Sequence, residues 1–242
     1  MKTDTNVVPS GTGTETRPLT PPTAEEAFAE AWQGLERLDQ SLTPERKFRV
    51  VLFGSARVPE DDPVYGDCYQ LGKAIGQHRI GGVTGGGPSL MTAFNKGIVE
   101  GWAGQPEAYS HGVCIKQINR DEAPNVFLRQ AYYHRLILTR LHQFVRLGHW
   151  GAIILAEKGG YGSDLEKALI HQLLQFRQMD VPLIAIGPMW EARKAWEKAW
   201  IIDQNLAEPH DLDYMQCVPK AMDALPIILE AHARYKAKKA AG

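Results

Sequence analysis

A doubly wound parallel α/β sheet is predicted by three observations on this 242-residue sequence. Short β-branched runs recur along it, amphipathic stretches of helical period separate them, and glycine-rich segments follow several of the runs. Hydrophobic residues make up 44% and charged residues 23%, which excludes wholesale disorder, collagen-like sequence and coiled coil. One α/β domain plus an appendage fits the length.

Residues 1–22 are rich in Thr, Pro, Gly and Ser with almost no large apolar side chains. Ordering them would cost entropy without compensating burial, so the segment reads as a flexible tail. A helix is expected over 24–42, started by Thr23, with Phe28, Trp32, Leu35 and Leu38 on a face that packs on the main domain. Beyond Phe48 strands fall at 49–53, 81–84, 112–115, 152–156 and 182–186. Helices fall at 65–77, 88–100, 135–147, 163–177, 190–205 and 221–235. The basic run Lys236-Ala237-Lys238-Lys239 then reads as a solvated end. Strands separated by helices of this length imply right-handed crossovers, hence a Rossmann-like single domain over residues 23–242. Ligands of such sheets sit beyond the carboxyl ends of the strands.

Lys and Arg number 27 against 28 Asp and Glu, for a net charge of -1. That balance gives no electrostatic reason to favour nucleic acid or an anionic membrane, and no basic stripe with aromatics marks a single-strand DNA binder. Cys68, Cys114 and Cys217 are far apart and lack CxxC spacing, and no HExxH occurs among the eight histidines. Lone buried thiols, a reduced cytoplasmic setting, no metal and no resident cofactor are therefore expected. Trp190, Trp196 and Trp200 suit core or interface alike.

Three glycine-bearing loops fall at the carboxyl edge: Gly54-Ser55-Ala56-Arg57, Gly85-Gly86-Gly87-Pro88-Ser89-Leu90-Met91 with Pro88 opening the next helix, and Lys158-Gly159-Gly160-Tyr161-Gly162-Ser163-Asp164-Leu165-Glu166. Glycines let backbone amides approach a ligand, and the helix N-terminus adds partial positive charge, so a phosphate is the expected guest. Neither G-x-G-x-x-G nor the triphosphate loop G-x-x-x-x-G-K-[ST] is present, which favours a monophosphate.

Ser163-x-x-Glu166 has capping-box spacing. Yet Glu166 shares its helical face with Leu169, Ile170 and Leu173, away from Asp164, Lys167, His171 and Gln175, and so points inward where its pKa can be altered. On the preceding helix Arg140 flanks the apolar stripe Ile137, Leu138, Leu141, Phe144, Val145 and Gly148, whereas Arg135 falls on the opposite side with Thr139, His142 and Arg146. Arg140 is the better crevice candidate, with a snorkelling role as the competing reading.

With these motifs the chain resembles, over residues 48–211, the Lonely Guy family of cytokinin riboside 5'-monophosphate phosphoribohydrolases, once mislabelled lysine decarboxylases. The resemblance rests on Gly54-Ser55-Ala56-Arg57, on Val83-Thr84-Gly85-Gly86-Gly87-Pro88, and on Lys158 to Glu166, which answers to the family's P-G-G-x-G-T-x-x-E. It implies that Glu166 is the catalytic glutamate, that Arg140 is the catalytic arginine with Arg135 as the alternative, and that Asn125 is the family's Asn ahead of the helix. Lys158 stands for the family's Pro, Ser163 for Thr, Leu141 for the Lys of an Arg-Lys pair and Ser89 for Gly, with about two extra residues between 148 and 158.

The resemblance implies hydrolysis of the N-glycosidic bond of AMP or an N6-substituted AMP to free base and ribose 5-phosphate, a cytokinin-forming reaction. Glu166 would stabilise the oxocarbenium-like ribose and handle the water. Arg140 would bind phosphate or support the departing base. Gly54, Ser55, Arg57, Gly85, Gly86, Gly87, Asn125, Gly159, Gly160, Gly162 and Ser163 would hold the substrate and its phosphate, in a homodimer or larger homo-oligomer. The alternative is a non-catalytic nucleotide sensor or carrier of a phosphorylated cofactor, comparable to molybdenum-cofactor carriers.

Overall fold

Seven strands build a single parallel sheet: β1 (Arg49–Phe53), β2 (Gly81–Thr84), β3 (Ser110–Ile115), β4 (Gln130–His134), β5 (Ala152–Leu155), β6 (Leu183–Ile186) and β7 (Met215–Val218). The computed structural model describes residues 23–41, 46–116 and 123–241, and the side chains of all of these except 36–41 and 241. The tail expected over 1–22, Leu42 and the side chain of Leu38 lie outside that set. The sheet order is β4-β3-β2-β1-β5-β6-β7, so the winding reverses between β1 and β5. This confirms the doubly wound α/β class, and the reversal opens a crevice between the loops after β1 and β5.

Helices α1 (Ala24–Ser41), α2 (Pro63–Gln77), α3 (Leu90–Gly101), α4 (Ile137–Gly148), α5 (Tyr161–Gln175), α6 (Pro188–Glu197) and α7 (Ala224–Ala241) surround the sheet. Alternation along β1 separates two cores. Val50 and Leu52 join Leu71 and Ile75 of α2, Phe94 and Ile98 of α3 and Ile228 of α7. Val51 and Phe53 face the other way, onto Phe144 and Leu147 of α4, Ile170 and Leu174 of α5 and Trp190 of α6. The period of two in a strand produces this division.

Strands β4 and β7 were not expected. Both lie at sheet edges, and their sequences QAYYH and MQCV carry no continuous apolar run: no residue of β4 is buried, and β7 is buried only at its two ends. Pro88 does not open α3; the helix begins at Leu90, after Ser89. The helix expected over 190–205 stops at Glu197 and passes into a π turn over Lys198–Ile202, while the last helix extends to Ala241 through the basic run. Trp190 is core, whereas Trp196 and Trp200 are exposed.

Two apolar stripes are corrected. Phe28 and Trp32 of α1 are exposed, and the helix instead turns buried Ala31 and small Gly34 toward α4. A Cβ on Gly34 would lie 3.2 Å from Cγ2 of Thr139, and that approach buries Thr139, expected on the polar side of α4, while Ile137 and Leu138 are left exposed. The Thr139 hydroxyl is satisfied by donating to the Leu136 carbonyl at 3.0 Å.

Helices α2 and α3 touch backbone to backbone. A Cβ on Gly97 would meet the Tyr69 carbonyl oxygen at 2.2 Å, whereas one on Gly66 of α2 meets nothing within 4 Å. Gly97→Ala should therefore lower stability by about 1–3 kcal/mol through overpacking. Gly66→Ala should raise it by about 0.4–1 kcal/mol through lost unfolded-state entropy. Urea midpoints of the two variants should move in opposite directions.

Candidate functional site

A cavity of about 950 Å³ opens at the carboxyl edge of the sheet. Its walls include Gly54, Ser55, Arg57, Gly85, Gly86, Gly87, Arg140, Gly159, Gly160, Gly162, Ser163 and Glu166, so every sequence-selected residue except Asn125 lines it. The loops after β1, β2 and β5 meet here because those strands are neighbours in the sheet.

Helix α5 turns its N-terminal end to the cavity. Its N-cap is Gly160, which has no side chain to cap with, and Asp164 is the first helical amide with a backbone acceptor, the Gly160 carbonyl at 3.0 Å. Among the described residues no acceptor serves the amides of Tyr161, Gly162 and Ser163. Three donors at the positive end of a 15-residue helix therefore converge on the cavity. Neither Gly160 nor Gly162 has a positive φ, and a Cβ at either would meet nothing within 4 Å. Neither packing nor backbone conformation demands glycine at these two positions, and the absence of a Cβ leaves the backbone open to close approach from the cavity. Gly159 differs, since a Cβ there would sit 2.9 Å from the ring of Trp190.

Because α5 begins at Tyr161, Ser163 is its third residue and not its cap, which removes the capping-box reading of Glu166. The Glu166 side chain is buried and turns into the cavity, with Oε1 3.5 Å from Nη1 of Arg140. Burial pushes its carboxyl up to about 7, against the pull of the Arg140 charge. Arg140 is itself held: Nε donates to the Val113 carbonyl at 2.9 Å, and the guanidinium lies 5.0 Å from the centroid of Phe144. A Cβ on Gly85 would meet Nη2 at 2.5 Å, so the glycine makes room for that fork. Arg135 is elsewhere, paired with Glu30 of α1 at 3.5 Å beside a separate cavity.

The loop after β2 acts differently from expectation. The Gly86 amide donates to the Thr84 hydroxyl at 3.0 Å, so it is spent within the protein. Gly86 has φ +75, a left-handed conformation natural to glycine. Asn125 does not line the cavity. Its amide nitrogen donates to the carbonyls of Gly86 and Gly87 at 3.3 Å and to Oδ1 of Asn95 at 3.2 Å, and Asn95 is wholly buried between Thr84 and Ser110. Asn125 therefore braces the loop. The Ser55 amide is likewise spent, on the Lys158 carbonyl at 2.9 Å.

Two departures from the Lonely Guy motif, Ser89 and Lys158, make local contacts of their own. Ser89, in place of Gly, holds φ +64 and donates its hydroxyl to the Val58 carbonyl at 2.6 Å. Lys158 pairs with Asp62, the N-cap of α2, and so ties the third loop to the first from outside the cavity. That pairing holds the Asp62 carboxyl below its usual value. On α5 the supposedly polar side is packed: Lys167 is buried against Glu197, which also accepts from Arg193 at 3.2 Å. Arg193, Met189 and Cys114 also line the cavity and were missed. The carboxyl-edge rule, applied to the start of α6 and the end of β3, would have found them. Burial raises the Cys114 thiol, with the Arg140 charge opposing.

No family model and no curated protein sequence matches this chain. Solved structures do. The molybdenum cofactor binding protein from the phototrophic bacterium Rippkaea orientalis superposes with a TM-score of 0.56 at 16% identity, covering 77% of this chain and 98% of that one. The Moco carrier protein of Chlamydomonas rheinhardtii gives 0.54 at 17%, with 77% and 98% covered. The structural-genomics target TM1055 gives 0.54 at 18%, with 76% and 99% covered. At these identities the likeness establishes a shared fold.

The raised Glu166 carboxyl has a stability signature. With a folded pKa near 7 against an ordinary 4.5, the folded chain holds the extra proton. The stabilising contribution is complete below about 4.5 and is lost as pH rises through about 7. Glu166→Gln mimics the protonated acid. It should change the urea midpoint little at pH 4.5 and raise stability at pH 8 by roughly 3 kcal/mol. A variant no more stable than the parent at pH 8 would contradict the burial of this charge.

Proposed function

We propose that the chain hydrolyses the N-glycosidic bond of a nucleoside 5'-monophosphate, AMP or an N6-substituted AMP, as in the Lonely Guy family it resembles. The reading is carried by one observation: a buried carboxylate, Glu166, on the same helix as three unpartnered amides and 3.5 Å from an arginine. The 5'-phosphate would sit on the amides of Tyr161, Gly162 and Ser163, with the Ser163 hydroxyl and the Ser55 hydroxyl beside it. This places the sugar inward, toward Glu166. As the C1'–N bond breaks, its electron pair leaves with the base, positive charge develops on the ribose, and water adds to C1' while Glu166 takes its proton. The departing base takes a proton from solvent and Glu166 afterwards returns its own, so that water is added across the C1'–N bond, while Arg140 supports the leaving group or the phosphate. The homo-oligomer implied by the resemblance is part of this proposal, and light scattering checks it.

A second reading is carriage of a phosphorylated cofactor without catalysis. It draws on the solved structures of this fold that are described as molybdenum cofactor binding or carrier proteins. One assay separates the two. Chromatography of AMP and N6-substituted AMP incubated with the protein should show free base. Glu166→Gln should reduce its release by about 10²–10⁴-fold while nucleotide binding persists. Release should climb with pH through about 7, as Glu166 ionises, and then level off. Tight nucleotide binding with no base released would favour the carrier.

A further inference from the structure

The cavity extends to both sides of the proposed phosphate position, and a terminal phosphate would occupy one side only. It is lined from Ile115, at the end of β3, to Met189 and Arg193 on α6, which follows β6. Those ends are four strand positions apart in the order β3-β2-β1-β5-β6, or about 19 Å at ~4.8 Å per strand. The amides at the start of α5 follow β5, one position from the outer end and three from the inner one. Glu166, Arg140 and Cys114 lie on the inner side.

The outer side is built for a flat, uncharged group. Arg193 is paired with Asp164 and Glu197, each at 3.2 Å, and Glu197 also takes Lys167, so two cations meet two carboxylates. The Arg193 guanidinium lies 5.1 Å from the centroid of Trp196. Tyr161 is 97% exposed and Met189 40% exposed, and both line the cavity. Tyr161 stands between Gly160 and Gly162, whose open surroundings leave its ring unobstructed. An exposed aromatic ring and a thioether at a cavity mouth present apolar faces to a planar heterocycle.

We infer that the cavity takes a nucleotide whose phosphate is internal: a pyrophosphate-linked dinucleotide, with one nucleoside on Glu166 and Arg140 and the second ring over Tyr161 and Met189. This rests on the nucleotide reading above and extends it. Hydrolysis at the inner half would release one base and leave the rest of the ligand intact.

Calorimetry on the full chain with AMP, ADP-ribose and di(adenosine-5') pyrophosphate tests it. The dinucleotide should bind about tenfold or more tightly than AMP, as expected for one stacked base, and ADP-ribose, which lacks the second ring, should not share the gain. In the double variant Tyr161→Ala, Met189→Ala the dinucleotide-to-AMP preference should fall to about one. If the parent binds AMP but shows no preference, or if the double variant keeps it, this inference is overturned and the monophosphate reading stands. If the parent binds neither nucleotide, both fall. The parent's ADP-ribose comparison decides the matter even if the double variant does not fold.

Discussion

Opposed forces on the Glu166 carboxyl organise the site. Removal from water favours the neutral acid, and the facing Arg140 guanidinium favours the anion. Both act only because α4 and α5 cover the same face of the sheet, where Phe144, Leu147, Ile170 and Leu174 share one core. The start of α5 matters equally. Had a serine or aspartate capped this helix, its side chain would have occupied an amide that now faces the cavity. The same residue choice that weakens the helix end leaves it open to an anion.

A cavity edged by loops needs those loops held in place. On one side a buried polar chain runs from Thr84 through Asn95 to Ser110, with Asn125 joining it to the Gly86 and Gly87 carbonyls. Each of these groups is satisfied, which is the condition under which buried polar networks specify a structure instead of weakening it. On the other side Lys158 and Asp62 join two loops at the surface, where an ion pair contributes little to stability. The Lys158 carbonyl, bonded to the Ser55 amide, fixes the spacing between those loops more firmly than the charge does.

Legibility in the sequence followed burial. The strands β1, β5 and β6 are wholly buried and announce themselves as apolar runs, whereas edge strands β4 and β7 mix polar and apolar residues and do not. Helical period located α4 but misjudged Ile137, Leu138 and Thr139, because the partner α1 presents Gly34, a residue invisible to a hydrophobic pattern. The inward aim of Glu166 was legible, since its own helix carries the stripe. The bracing role of Asn125 was not, because its partners are backbone carbonyls 38 and 39 residues away. Lys167 looked solvated and is buried for a similar reason: Glu197 lies 30 residues downstream on α6.

A phosphate on the α5 amides would also govern what Glu166 can do. A phosphate dianion bound nearby would oppose ionisation of the carboxyl, as burial does, and so would limit the fraction of Glu166 ready to take a proton from water. Helix α5 would offset part of that effect, since its amides would draw the charge of a bound phosphate onto the backbone. When positive charge develops on a bound sugar, the balance reverses and the anion becomes the favoured form. An ionised Glu166 would therefore gain stabilising power as the bond breaks. Such a differential would separate catalysis from tight binding, because the carboxylate would meet little positive charge on the sugar before the bond breaks and much more as it does.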